Sequence, residues 1–192
     1  MHLQKSQWTN EPPAWSLDSG VLQVSTGLNT DFWRETHYGF IRHSGHFFAY
    51  EVESDFTFQL CIEAKFNQLY DQAGLMIQQD TEHWCKAGIE YADDRCLMSS
   101  VLTNPQSDWA TGVFHGNPHR FWMRATLESG VLRLQYSADG QEWPLLRLCP
   151  FPGSARLKIG AMCCTPQRAG LQVRFSEFSL TAPQGKALHD LS

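Results

Sequence analysis

HWCKAGIEYADD, residues 83–94, decides the fold. Side chains of an extended segment alternate, so Cys85, Ala87, Ile89 and Tyr91 face one way while Trp84, Lys86, Gly88 and Glu90 face the other. The first set is a core face. The second carries a cation and an anion about 13 Å apart, four residues at roughly 3.3 Å each. Gly88 leaves a side-chain-free gap between them, and this predicts the floor of a binding groove. Residues 120–128 repeat the pattern, with Phe121, Met123, Ala125 and Leu127 against Arg120, Trp122, Arg124 and Thr126.

Working outward, alternating apolar runs of strand length recur along the chain, separated by turn formers. They place strands at 14–18, 20–26, 45–52, 55–66, 73–80, 83–92, 95–103, 120–128, 130–137, 141–148, 156–163 and 171–181, and no segment sustains a helical period. Asp139-Gly140 and the run ESG at 128–130 are hairpin signals, so neighbouring strands should pair antiparallel. A single open sheet of that many strands would curl or split, which makes a two-sheet sandwich or jelly roll the expected all-β architecture. Two long aromatic stretches, 29–45 and 103–120, interrupt the rhythm and read as functional loops.

The 192 residues fit one domain, with its core over about 14–181. With 42% hydrophobic residues and 12 Phe, 7 Trp and 5 Tyr, the chain has ample core material. A formal charge of -5 without Lys/Arg runs argues against nucleic acid or an anionic membrane as partner. The segment MHLQKSQWTNEPPAW has no apolar signal core, and no stretch approaches the roughly 20 apolar residues of a membrane span, so the expected location is the cytoplasm. Cys61, Cys85, Cys96, Cys149, Cys163 and Cys164 lack metal-ligand spacing and read as reduced thiols, with at most one of the adjacent pair 163–164 facing the core. His43 with His46, and His115 with His119, read as loop pairs without a third ligand, so no metal site is expected. No nucleophile elbow, P-loop or dinucleotide fingerprint occurs, and no cofactor is implied.

Several of these stretches together resemble one family: DFWRETHYG (31–39), DQAGLMI (71–77), HWCKAGIEY (83–91), SSVLTNPQSDW (99–109), FWMRA (121–125) and YSADGQEW (136–143). They are similar to the concanavalin A-like family labelled "regulation of enolase protein". The resemblance implies a concanavalin A-like jelly-roll sandwich, the architecture of lectins and laminarinase-type glucanases, but implies no reaction. It also implies a shared groove lined by Trp33, Arg34, Asp71, Gln72, Lys86, Glu90, Asp108, Trp109, Trp122 and Arg124.

On the residues themselves, Asp71 and Asp108 equally suit turn capping, and Arg124 equally suits pairing with Glu90 or Asp71. Aromatic platforms beside polar groups fit non-hydrolytic binding of a carbohydrate or similar polyhydroxylated small molecule. The alternative is a glycoside-processing enzyme with Glu90 as acid or base. Such an enzyme needs a second carboxylate, about 5–5.5 Å away for retention or 6.5–9.5 Å for inversion. Lys86 and Gly88 occupy the positions where laminarinase-type enzymes carry further acids, leaving Asp71 or Asp108 as partner. A third alternative is a regulatory module that docks a protein through the same aromatic and Arg-bearing surface.

Overall fold

The structure, a computed structural model, describes residues 3–151 and 156–192. Its strands in chain order are β1 (Gln7–Thr9), β2 (Ala14–Asp18), β3 (Val21–Ser25), β4 (Phe32–Arg34), β5 (Ile41–His43), β6 (His46–Val52), β7 (Phe56–Ala64) and β8 (Gln72–Gln78). The second half contributes β9 (Trp84–Ala92), β10 (Arg95–Thr103), β11 (Ser107–Val113), β12 (Arg120–Glu128), β13 (Val131–Ser137), β14 (Leu145–Pro150), β15 (Leu157–Cys164) and β16 (Gln172–Thr181). Among the described residues the helical content is one 3₁₀ turn, Leu3–Lys5.

Two seven-stranded antiparallel sheets form the sandwich, in the order β1-β6-β15-β8-β9-β10-β11 for the first and β14-β13-β12-β7-β16-β3-β2 for the second. This is the concanavalin A-like architecture. The alternation in the opening stretch explains the assembly: Cys85, Ala87 and Ile89 from β9 join Phe58, Leu60 and Ile62 from β7 and Phe121, Met123 and Ala125 from β12 in one buried cluster between the sheets. Each fully buried Phe, Leu or Ile there stabilises the fold by about 1.5–3 kcal/mol. The hairpin signals also hold: Ser129 (φ 51) and Gly130 (φ 76) turn β12 into β13, and Gly140 has φ 79 in the connection to β14.

Every strand expected from the sequence is present, the largest displacement being 141–148, found at Leu145–Pro150. The two long stretches are not loops throughout. The first folds into the β4-β5 hairpin, and the second contains β11, an edge strand of the first sheet. That hairpin lies on the outward face of the first sheet, where Phe32 and Trp33 close a second buried cluster with Phe47, Met76, Trp84, Val101, Met162 and Cys164. Cys163 and Cys164 therefore have separate destinations: Cys163 enters the core between the sheets and Cys164 enters the cluster beneath the hairpin. His43 and His46 belong to β5 and β6 rather than to a loop. No helix among the described residues is long and apolar enough to cross a membrane.

Candidate functional site

The polar face of β9 is set by register. Gln72 on β8 lies opposite Glu90, Gly74 opposite Gly88, and Met76 opposite Lys86. On the other side β10 places Ser99 opposite Gly88 and Val101 opposite Lys86, and β11 then sets Trp109 opposite Val101. The bare strip at Gly88 has a backbone cause. A Cβ there would sit 2.1 Å from the Ala73 carbonyl oxygen, and one at Gly74 would sit 1.9 Å from that of Ala87. The two strands approach too closely for any side chain, and the floor between Lys86 and Glu90 is left open as a result.

Over this floor is a cavity of about 170 Å³ lined by Asp31, Trp33, Tyr38, Phe40, Tyr70, Gln72, Lys86, Glu90, Val101, Trp109, Pro166 and Gln167. Its walls are aromatic. Trp33 meets Tyr38 edge-on at 5.6 Å and Trp109 at 6.3 Å, and Tyr38 stacks on Phe40 at 5.3 Å. The Tyr38 and Tyr70 hydroxyls are 3.0 Å apart, joining the hairpin to the 65–71 loop. That hydrogen bond, helped by burial, pushes the Tyr70 pKa up to about 12.

The floor carries two unlike charged groups. Lys86, 3% exposed, donates from Nζ to Asp31 Oδ1 (3.2 Å) and to Gln72 Oε1 (2.9 Å). Burial opposes its charge, but the Asp31 carboxylate, with smaller contributions from Cys164 and Glu90, outweighs burial and raises its pKa. Glu90, 5% exposed, accepts at Oε2 from Ser99 Oγ (2.7 Å) and Trp109 Nε1 (3.1 Å). Burial raises its pKa, against the opposing pull of Lys86 and of these two hydrogen bonds. No donor among the described residues reaches Glu90 Oε1 or Asp31 Oδ2, and Gln72 Nε2 is likewise uncommitted.

Of the residues expected in the groove, Trp33, Gln72, Lys86, Glu90 and Trp109 line this cavity. Trp109 does so from a strand rather than a loop. Arg34 points elsewhere, donating to Glu82 Oε1 (2.8 Å) and to the Pro105 carbonyl (2.9 Å), and so anchors the hairpin. Asp71 is fully buried beside the cavity. Its carboxylate accepts from the backbone N–H groups of Asn67 and Gln68 and from both Nε and Nη2 of Arg168, as a turn cap and loop clamp. Asp108 stands on the outer rim with Arg147 at 3.4 Å.

Trp122 and Arg124 require a larger correction. They belong to β12, in the second sheet, and turn away from the core on its outer side, so the sandwich separates them from Lys86 and Glu90. There Trp122 donates to Glu177 Oε2 (2.9 Å), and Arg124 stacks 3.7 Å over the Trp143 ring while bonding Gln59 and the Ser192 carbonyl. The single groove expected to hold Lys86, Glu90, Trp122 and Arg124 does not form.

Asp31, Tyr38, Phe40, Tyr70, Pro166 and Gln167 were not legible as site residues. Asp31 had one usable signal, since it stands two residues before Trp33 and so shares its side of an extended chain. Tyr38 and Tyr70 lie in turns with left-handed backbone nearby, at Glu35, His37 and Tyr70 itself, where alternation has no meaning.

Comparisons with known proteins agree with this architecture. Residues 8–183 match the family described as "Protein of unknown function (DUF1349)". "Regulation of enolase protein 1" of Saccharomyces cerevisiae is 53% identical over 190 residues, 99% of this chain and 96% of that protein. A crystal structure of a functionally unknown protein from Saccharomyces cerevisiae superposes with a TM-score of 0.94 at 51% identity, covering 96% of this chain and all of that one. More distant structures share the fold alone. The GH43 protein BlXynB from Bacillus licheniformis, as a K247S mutant, gives a TM-score of 0.72 at 15% identity over 93% of this chain but only 37% of its own. The carbohydrate binding module CBM66 from Bacillus subtilis gives 0.55 at 13%, over 91% of this chain and 95% of that one. The chain is a member of the DUF1349 family.

Proposed function

We propose that the protein binds, without cleaving, a carbohydrate or similar polyhydroxylated small molecule in the cavity on the outward face of its first sheet. The observation that carries this is the pairing of five aromatic walls, Trp33, Tyr38, Phe40, Tyr70 and Trp109, with a polar floor. Aromatic faces hold the apolar faces of a sugar ring, while Gln72 Nε2, Glu90 Oε1 and the remaining Lys86 N–H suit its hydroxyls. The fold likeness to a carbohydrate binding module is consistent with this. A thermal-shift screen against mono- and oligosaccharides, sugar acids and phosphosugars is the test. A ligand at 100 times its Kd stabilises the fold by about 2.7 kcal/mol; Trp109→Ala should remove the shift, and Glu90→Gln should reduce it. If no sugar shifts the transition, the proposal fails.

A glycoside-processing enzyme is the second reading, favoured by the raised pKa of Glu90, the property of a general acid. Its partner would have to be Asp31, because Asp71 is sealed by Arg168 and Asp108 stands outside the cavity. Asp31 is held by Lys86 and by the Phe32 N–H, an arrangement that serves structure better than base catalysis. Product release from any ligand found in the screen, abolished by Glu90→Gln, would favour the enzyme over the binding protein.

A further inference from the structure

Glu90 is a buried acid whose hydrogen-bond donors, Ser99 and Trp109, are both neutral. No ion pair among the described residues includes it. The charge of Lys86 is answered elsewhere, by Asp31 at 3.2 Å. Lys86 pairs directly with Asp31, so the cavity sets two carboxylates against one ammonium, and Glu90 Oε1 has no partner. A buried, unpaired carboxylate is costly unless something neutralises it, and the faces of the surrounding aromatic rings carry the negative end of the ring quadrupole. Both features favour a positive charge in the space between them.

From this geometry we infer that the ligand carries an ammonium group and is an amino sugar, its cation seated between Glu90 Oε1 and the faces of the aromatic walls. This rests on the sugar-binding reading of the cavity and names the class of sugar. The neutral part of the ring would take the donors of Gln72 and Lys86, and the ammonium would supply the charge-assisted hydrogen bond that Glu90 lacks.

The test is calorimetric titration of the intact protein at neutral pH with glucosamine, galactosamine, their N-acetyl derivatives, glucose, galactose, glucuronate and tetramethylammonium. One amino sugar should bind about tenfold more tightly than both its neutral parent and its N-acetyl form. In Glu90→Gln that ratio should fall to about one; a merely structural role would weaken all sugars alike and leave the ratio unchanged, overturning the assignment to Glu90. Should the variant fail to fold, the wild-type ratios decide alone. Equal binding of an amino sugar and its neutral parent, or tighter binding of glucuronate, overturns the charge inference and leaves the sugar-binding reading intact. Tetramethylammonium binding with no sugar bound overturns the sugar-binding reading and with it the amino sugar, while supporting a cation site. No binding by any of these compounds overturns both.

Discussion

At the scale of single residues, Glu90 connects stability with function. Burial holds its folded pKa above 4.5, so the native protein keeps a proton that the unfolded chain has already released. Stability therefore falls as pH rises from 4.5 through the folded pKa, and the penalty is complete above it. Replacing the carboxylate by an amide of the same shape removes that penalty. We expect Glu90→Gln to unfold at a higher temperature than the wild type at neutral pH without ligand, by about 2–4 °C for each kcal/mol relieved, and the difference to shrink toward acid pH. A variant less stable than the wild type at neutral pH would refute it. The importance of Lys86 and Glu90 was legible because strict alternation around Gly88 fixes which way they face. Asp31, which neutralises Lys86, was hidden because its approach depends on a hairpin folding back across the sheet, and no local pattern encodes that contact.

Strands and loops show the same division. The long alternating strands were legible because apolar residues recur at every second position along them. The three-residue strands β1, β4 and β5 were not, and β11 escaped because only Ser107 of its residues is buried, leaving no alternation to read. The glycines of β8 and β9 are equally constrained by their partners. Gly88→Ala should unfold the protein or destabilise it by more than about 4 kcal/mol, the range reserved for backbone displacement in a core, because the new Cβ would meet the Ala73 carbonyl at 2.1 Å. Soluble expression with a wild-type melting curve would disprove that account. The loops behave as a clamped pair. Asp71 on one side and Arg168 on the other join the segment bearing Tyr70 to the segment bearing Pro166 and Gln167. Arg168→Leu leaves the Asp71 charge buried with only two backbone donors, at a cost of about 3 kcal/mol. It should also weaken ligand binding although Arg168 does not line the cavity, and unchanged affinity would show that the clamp does not position the site.

Across the whole molecule, alternation in the sequence tells that a side chain points away from the core, but each sheet of a sandwich has its own outward face. Lys86 on β9 and Arg124 on β12 obey the same rule and finish on opposite surfaces. The outward side of the second sheet has its own structure: Trp122 and Trp143 cluster with Cys61, Arg124 lies over Trp143, and the end of the chain is held there by Arg124 and Arg133 bonding the carbonyls of Ser192, Lys186 and Ala187. Sites this far apart with no shared partners act nearly additively. Arg124→Ala should therefore lower stability by about 1–3 kcal/mol, through the lost stacking and the lost charge-assisted hydrogen bonds, while leaving the affinity of the first-sheet cavity within about twofold of wild type. Lys86→Met should do the reverse to binding, since it strips Asp31 and Gln72 of their donor at the cavity floor. Measuring both variants by thermal unfolding and by titration with the best ligand of the screen separates the two faces. If Arg124→Ala abolished binding while the melting temperature held, the ligand would sit on the second sheet and the cavity around Glu90 would not be the site.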